Sequence, residues 1–384
     1  MKTKLFLTTL AFFALLLVGN LNAQFGGGLG TEANPYQIWN KEHLKELDDS
    51  VKKSPINDPI TYYNWSRDKY FILMNDITDT VKTVIGYVEN TYEFTYCFQG
   101  DFNGNNKKII LAIDGYEFVG LFSAVYQSNI YDLMIEGYVR GSHNYIGSIC
   151  GYAQESHIEN CFNNGNIRGG SGYVGGICGY TYYTNISNCI NNGNVKGNGM
   201  LIGGIIGFFL GGQILRCTNE GDIVGITCVG GIIGHTDSKC LISHCTNSGS
   251  VTANNYGVGG IVGHFKGEEL SYCINIGTII GKDKTIGEYP SACAGGIVGM
   301  GGFENDGTFV SLIHKCINSG LLRGTISTGG IIGRVYNGDR VSNCINTGAV
   351  SSSSGKMGCI AGEVEAGGTI INCHYDKQMC GGGE

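Results

Sequence analysis

The densest set of metal-capable side chains in this sequence is His235, Asp237, Cys240, His244 and Cys245, residue types that zinc sites use. Their spacing sends them apart. Cys245 falls in an inward column, His235 shares a corner column with Tyr180, Phe208 and His264, and His244 falls in a polar column with Asn188, Arg216 and Lys315. No metal and no cofactor is expected from them. The stretch GSGYVG at 170–175 matches G-x-G-x-x-G, yet no helix follows, so it is a by-product of recurring glycine. There is no G-x-S-x-G and no Walker loop. Asp132, Glu159, Glu220 and Asp222 are scattered, whereas acid–base catalysis needs converging groups. No catalytic residue is assigned.

Binding chemistry has two candidate places. Two insertions, 282–292 and 300–310, break the repeat period between Cys273 and Cys316. They carry Lys282, Lys284, Glu288, Tyr289, Phe303, Glu304, Asn305 and Asp306, and loops on a rigid scaffold are where binding tends to live. Tyr152, Tyr180, Tyr182, Tyr183 and Phe208 cluster after a recurring glycine phrase. Flat rings there suit sugar stacking or protein contact, or simply stack along one edge.

The repeat must position these groups. The phrase recurs as VGGICG at 174, IGGIIG at 202, VGGIIG at 229, VGGIVG at 258, AGGIVG at 294, TGGIIG at 328 and MGCIAG at 357, with relatives at 119 and 146. A second phrase, I-x-x-C-x-N-x-G-x-[VI], follows it with cysteines Cys161, Cys189, Cys217, Cys245, Cys273, Cys316, Cys344 and Cys373. A fixed period of this length marks a repeat architecture. The segments are too short and glycine-rich for helices. The expectation is an all-β, three-sided parallel β-solenoid of about nine 28-residue coils. Glycine is expected to supply positive φ at the corners. Stacked Asn163 to Asn346 should pass amide hydrogen bonds between coils, and the cysteine column should consist of buried thiols. Cys97, Cys240 and Cys380 lie outside the columns and are the candidates for disulfides. One column is awkward: Phe162, Ile190, Ile274, Ile317 and Ile345 follow the ladder position, where alternation points outward. A bulge turning them inward is the favoured reading over an exposed apolar stripe.

Residues 1–23 read as an export signal, with Lys2 and Lys4 before an apolar run from Leu5 to Val18. That run is too short to span a membrane comfortably, and no later stretch could span one. Residues 24–118 read as an N-terminal cap with irregular first coils, and 119–384 as the repeats. Within the cap, Leu44, Leu47 and Val51 predict a short amphipathic helix capped by Asn40. Cys97–Phe102 and Lys108–Ile113 predict two strands joined by an Asn/Gly turn. The net charge of -7 with few charged residues argues against nucleic-acid binding.

These phrases resemble the GLUG-repeat family of exported bacterial surface proteins over residues 119–374. GTEANPYQIWNKEHLKEL at 30 and FQGDFNGNNKKI at 98 are similar to the leader before such repeats. The resemblance implies adhesion or another binding role, with a glycan or host-surface protein as partner. It also touches zinc metallopeptidases that carry GLUG repeats as an accessory region, but their H-E-x-x-H motif is absent here. The expected function is therefore an exported, non-enzymatic solenoid at the cell surface, in the periplasm or secreted. The alternatives are a polysaccharide-active β-helix enzyme or a scaffold assembling with partner proteins.

Overall fold

A computed structural model of the chain describes residues 25–53, 64–88, 96–282, 292–302, 310–353 and 355–380. The chain winds as a parallel β-solenoid in which each coil hydrogen-bonds, in register, to the next. The three apolar segments read from the sequence become five short strand columns. One column runs through Gly172–Gly175, Met200–Gly203 and Thr227–Gly230; the next through Cys178–Tyr182 and Val262–Phe265. The I-x-x-C phrase bends across two more columns, and Val195–Gly197 with its equivalents forms the fifth. Inward positions stack like on like. Phe102, Ile130, Ile158, Ile186, Ile214, Ile242, Leu270, Ile313 and Val341 are successive register partners and all are buried.

Corners and glycines divide their labour differently from the expectation. The residue before each ladder position turns the corner with φ between 51° and 57°, and it is Asp132, Asn160, Asn188, Arg216, His244, Tyr272, Lys315, Asn343 or Asn372, never glycine. Their side chains point to solvent at the bend, and the stacked coils hold a backbone conformation that costs an L-residue on the order of 1 kcal/mol. The phrase glycines are needed for closeness. A Cβ on Gly204 would lie 2.1 Å from the Gly231 carbonyl oxygen and 2.5 Å from Asn219 Cγ. Gly176, Gly231 and Gly260 meet Asn191, Asn247 and Asn275 in the same way. The two repeat phrases are thus one packing unit: the glycine leaves room for the asparagine.

That asparagine column is continuous. Asn163 Nδ2 donates to Asn191 Oδ1 at 2.6 Å, Asn191 to Asn219 at 2.7 Å, and Asn219 to Asn247, Asn247 to Asn275, Asn275 to Asn318 and Asn318 to Asn346 at 2.8 Å each. Each amide also donates to the carbonyl two residues on, as Asn219 does to Gly221 at 2.8 Å. The buried amides are therefore satisfied along the axis. Beside them run the ladder cysteines as thiols, buried from Cys161 to Cys344 and half-buried at Cys373. Cys217 Sγ donates to the Leu215 carbonyl at 3.6 Å. Burial holds the Cys189, Cys217, Cys273 and Cys316 thiols well above their usual pKa.

Of the cysteines outside the ladder, Cys380 bonds to Cys359, whose Cα lies 5.4 Å away. Cys97 and Cys240 are buried thiols and not disulfides, which corrects that expectation: Cys97 packs with Val88, Phe118 and Ala124, and Cys240 Sγ donates to the Phe209 carbonyl at 3.4 Å. The bulge reading is also corrected. Phe162, Ile190, Thr218, Thr246, Ile274, Ile317 and Ile345 are register partners that face outward, with Ile274 37% and Ile345 38% exposed. The left-handed corner residue resets the alternation, so the ladder cysteine points in and its successor out. The second outward position, Ile276, is 55% exposed.

At the N-terminal side, helix α1 spans Lys41–Lys52, and the Asn40 side chain accepts the His43 N–H. Leu44, Leu47 and Val51 join the same core cluster as the coils. Asp48 is buried among them because Lys52 Nζ lies 2.7 Å away and its carboxylate accepts the Gly86 N–H at 3.1 Å. Asp101–Gly115 is one long strand with a register shift between Asn103 and Lys107. Asn105 and Asn106, at φ 51° and 55°, make a coil corner rather than a hairpin. Both arms run parallel to the following coil.

Candidate functional site

Two outward rows flank the glycine phrase at one corner of the coil. The row before it holds Phe118, Tyr145, Tyr173, Leu201, Cys228, Gly257 and Cys293. The first five adopt φ between 49° and 62°, which swings their side chains over the second row. The second row holds, in register, Tyr152, Tyr180, Phe208, His235, His264, Met300, Arg334 and Glu363.

The character of this stripe changes along the rod. The N-terminal part is aromatic. Tyr152 stacks on Tyr180 at 4.9 Å, Tyr180 on Phe208 at 4.9 Å and Phe208 on His235 at 5.1 Å, all within 13° of parallel. Phe118 stacks on Tyr145 at 4.4 Å, and Tyr145 meets Tyr152 edge-on at 6.0 Å. Burial raises the Tyr152 and Tyr180 phenols well above their usual range. The C-terminal part is ionic: Arg334 lies 3.6 Å from Glu363 and 2.9 Å from Glu365, and Lys356 also pairs with Glu363.

Between them sit Cys228, His235 and His264, whose sulfur and one nitrogen from each ring lie within 4.8 Å of one another. Among the described residues this is the group of three metal-capable donors that converges so tightly. The His235 and His264 rings are nearly perpendicular, 4.5 Å apart. Burial pushes His235 down to about 4 and His264 to about 3, so both rings are neutral at neutral pH. Burial pushes the Cys228 thiol up to about 12.

The metal-capable set read from the sequence does disperse. Cys245 is in the inward ladder. Cys240 Sγ donates to the Phe209 carbonyl at 3.4 Å, Asp237 pairs with Lys266 at 3.5 Å, and His244 stacks on Tyr272 at 4.9 Å. His235 alone of that set reaches the cluster. Cys228 and His264 join it because they stand one row across and one coil on. Sequence reasoning passed over Cys228, although it precedes its phrase as Tyr145 and Tyr173 precede theirs, and those two face Tyr152 and Tyr180.

Tyr180, Tyr182 and Tyr183 lie on neighbouring outward positions of one coil. Tyr180 has ring neighbours on both faces, which leaves its edge for contact. Tyr182 and Tyr183 meet edge-on at 4.7 Å, and Tyr183 is 51% exposed. Lys282 is exposed, and its N–H donates to the Ala253 carbonyl at 2.9 Å. Lys284, Glu288, Tyr289, Phe303, Glu304, Asn305 and Asp306 lie outside the described residues. The described ends of the two insertions reach the same rows: Ala292 precedes Cys293, which follows Gly257 in the first row, and Met300 is the register partner of His264. No described helix is long and apolar enough to cross a membrane.

The GLUG motif matches residues 142–168, 170–196 and 225–252, each within the solenoid. No curated protein matches the chain. A solved structure described as a "putative immunoglobulin A1 protease" from Bacteroides ovatus aligns with 92% of this chain and 87% of its own, at 16% identity and a TM-score of 0.44. The three matched segments are coils of the parallel β-solenoid, which therefore carries GLUG motifs.

Proposed function

We propose that this chain is an exported, non-enzymatic surface solenoid that binds a protein partner along its side. The observation that carries the reading is the outward column of Phe162, Ile190, Ile274, Ile317 and Ile345, interrupted by Thr218 and Thr246, in which Ile274 and Ile345 are exposed and Ile276 beside them is 55% exposed. An exposed apolar line on a rigid rod costs solubility unless something covers it. A continuous parallel sheet presents it without the entropy loss of ordering a loop. A protein is favoured over a glycan because ring faces that a sugar would stack on, those of Tyr180 and Phe208, are covered by neighbouring rings. The scattered carboxylates support a non-enzymatic role, since glycoside cleavage requires a facing pair. The leader-like residues 1–23 support export to the surface, periplasm or medium.

The test is a host-matrix protein and glycan array with the mature chain. It is run beside Ile274→Glu/Ile317→Glu and beside a form with 282–292 and 300–310 shortened. Protein binding weakened at least about tenfold by the double substitution supports the reading. Binding lost only on shortening moves the site to the insertions. Binding to glycans alone overturns the choice of partner.

A further inference from the structure

The convergence of Cys228, His235 and His264 has no role in the packing scheme that explains the rest of the coil. In the N-terminal coils the same rows hold rings stacked on one another, and in the last coils they hold paired ions. Here the His264 Nε2 is buried and meets no hydrogen-bond partner, and a buried nitrogen left this way costs stability. The same ring is hydrogen-bonded to the Gly301 backbone through its other nitrogen. Nε2 is thus the nitrogen left to take a ligand, in a ring of which one nitrogen lies within 4.8 Å of the Cys228 sulfur and of a His235 nitrogen. A backbone acceptor on the far nitrogen is the usual support of a metal-bound imidazole. Phe208, stacked 11° from parallel on His235, fixes the second ring plane. The Tyr256 hydroxyl donates to the Cys228 sulfur. Of the nearby charges, Lys266 pairs with Asp237 at 3.5 Å.

We propose that Cys228 Sγ, His264 Nε2 and a ring nitrogen of His235 hold a single thiophilic d10 ion, zinc(II) or copper(I). One sulfur and two imidazoles suit either, with a further position open to solvent or to a group from a bound partner. Binding replaces the Cys228 S–H bond with a sulfur–metal bond and releases that proton to solvent. Both histidines are already neutral, so they bind without losing a proton. The ion would sit where the aromatic part of the stripe meets the ionic part, beside the flanks of both insertions. It would fasten two successive coils there.

The experiment uses the full mature chain, reduced and freed of metal. Binding of zinc(II), and of copper(I) under reductant, is measured by competition with a chromogenic chelator. Cobalt(II) reports sulfur ligation through its thiolate charge-transfer absorption. Cys228→Ala and His264→Phe are the variants, since the same rows already hold Gly257 and Phe208; His244→Asn, in a different column, is the control. The expected result is one equivalent of ion on the wild type and on the control. The dissociation constant rises at least about tenfold in either variant, and the cobalt band is lost in Cys228→Ala. Folding of each protein is checked by circular dichroism. Less than a tenth of an equivalent of both ions on the folded wild type would overturn the site. So would a cobalt band that survives Cys228→Ala. If one variant fails to fold, the other variant and the wild-type titration decide by the same criteria.

Discussion

Single residues in this fold are held by what lies directly above and below them. The Gly204 Cβ test is therefore sharp. Gly204→Ala forces a methyl group against the Gly231 carbonyl and Asn219 and should destabilise by about 3 kcal/mol, the upper range of overpacking. Gly281→Ala, whose nearest neighbours are side-chain atoms at 3.2 and 3.3 Å, should cost under about 0.5 kcal/mol. Its register partner is already Ala253. Urea denaturation of both variants distinguishes the two roles. Equal costs would mean that the glycine–asparagine unit is not what fixes the phrase.

The buried imidazoles add a pH dependence at the same scale. His235 and His264 sit near 4 and 3 in the fold against an ordinary 6.5. As pH falls below 6.5 the unfolded chain takes up protons that the folded chain does not, so stability is full above that point and lost toward pH 4. The loss for the metal-free chain should be on the order of a few kcal/mol. His264→Phe should flatten part of it in denaturation midpoints measured from pH 7 to pH 4. A variant with the wild-type slope would show that this ring carries none of it.

At the scale of strand columns, inside and outside alternate through a corner that glycine does not make. Asn219→Ala breaks the amide chain in the middle, leaving the Asn191 and Asn247 amides each short of one bond. With the Gly221 carbonyl, which also loses its amide donor, three groups are left short of a bond, and a loss of about 2–4 kcal/mol is expected. The outward column behaves oppositely: Ile345→Lys should change stability by less than about 0.5 kcal/mol, because the side chain faces outward and a lysine stem can cover the same surface with its ammonium in water. The cysteine column predicts a chemical pattern as well. Brief alkylation of the folded chain should label Cys373 and spare Cys189, Cys217 and Cys273, as mass spectrometry of the digested protein would read. Labelling of all alike would contradict a closed column. The helix, the Asn163–Asn346 ladder and the inward aliphatic columns were legible in the sequence because period and polarity alone specify them. Alternation after the ladder cysteine already pointed Ile274 outward; what the sequence did not show is the left-handed corner before it, since a tyrosine such as Tyr272 gives no sign that it will take that backbone.

For the whole molecule, each coil touches only its neighbours, so stability is a sum of repeated interfaces. Removing 190–217 excises one repeat with the 28-residue separation seen between Asn191 and Asn219, joining Cys189 to Thr218 in phase. That protein should fold with strand-rich circular dichroism, whereas removal of half as many residues should not. A folded half-coil deletion would refute the in-register stacking.

The sequence by itself determined the solenoid, its coil length, its amide and thiol columns and its capped helix, because these follow from periodicity and from local hydrogen-bonding rules. Tertiary structure decided which side chains meet across a corner. Cys228 and His235 are close in the chain, but His264 reaches them only because one coil stacks on the next. The left-handed backbone at Cys228 aims its sulfur across the rows. Side-chain direction at a bend is set by stacking on adjacent coils, and that information resides in no single repeat.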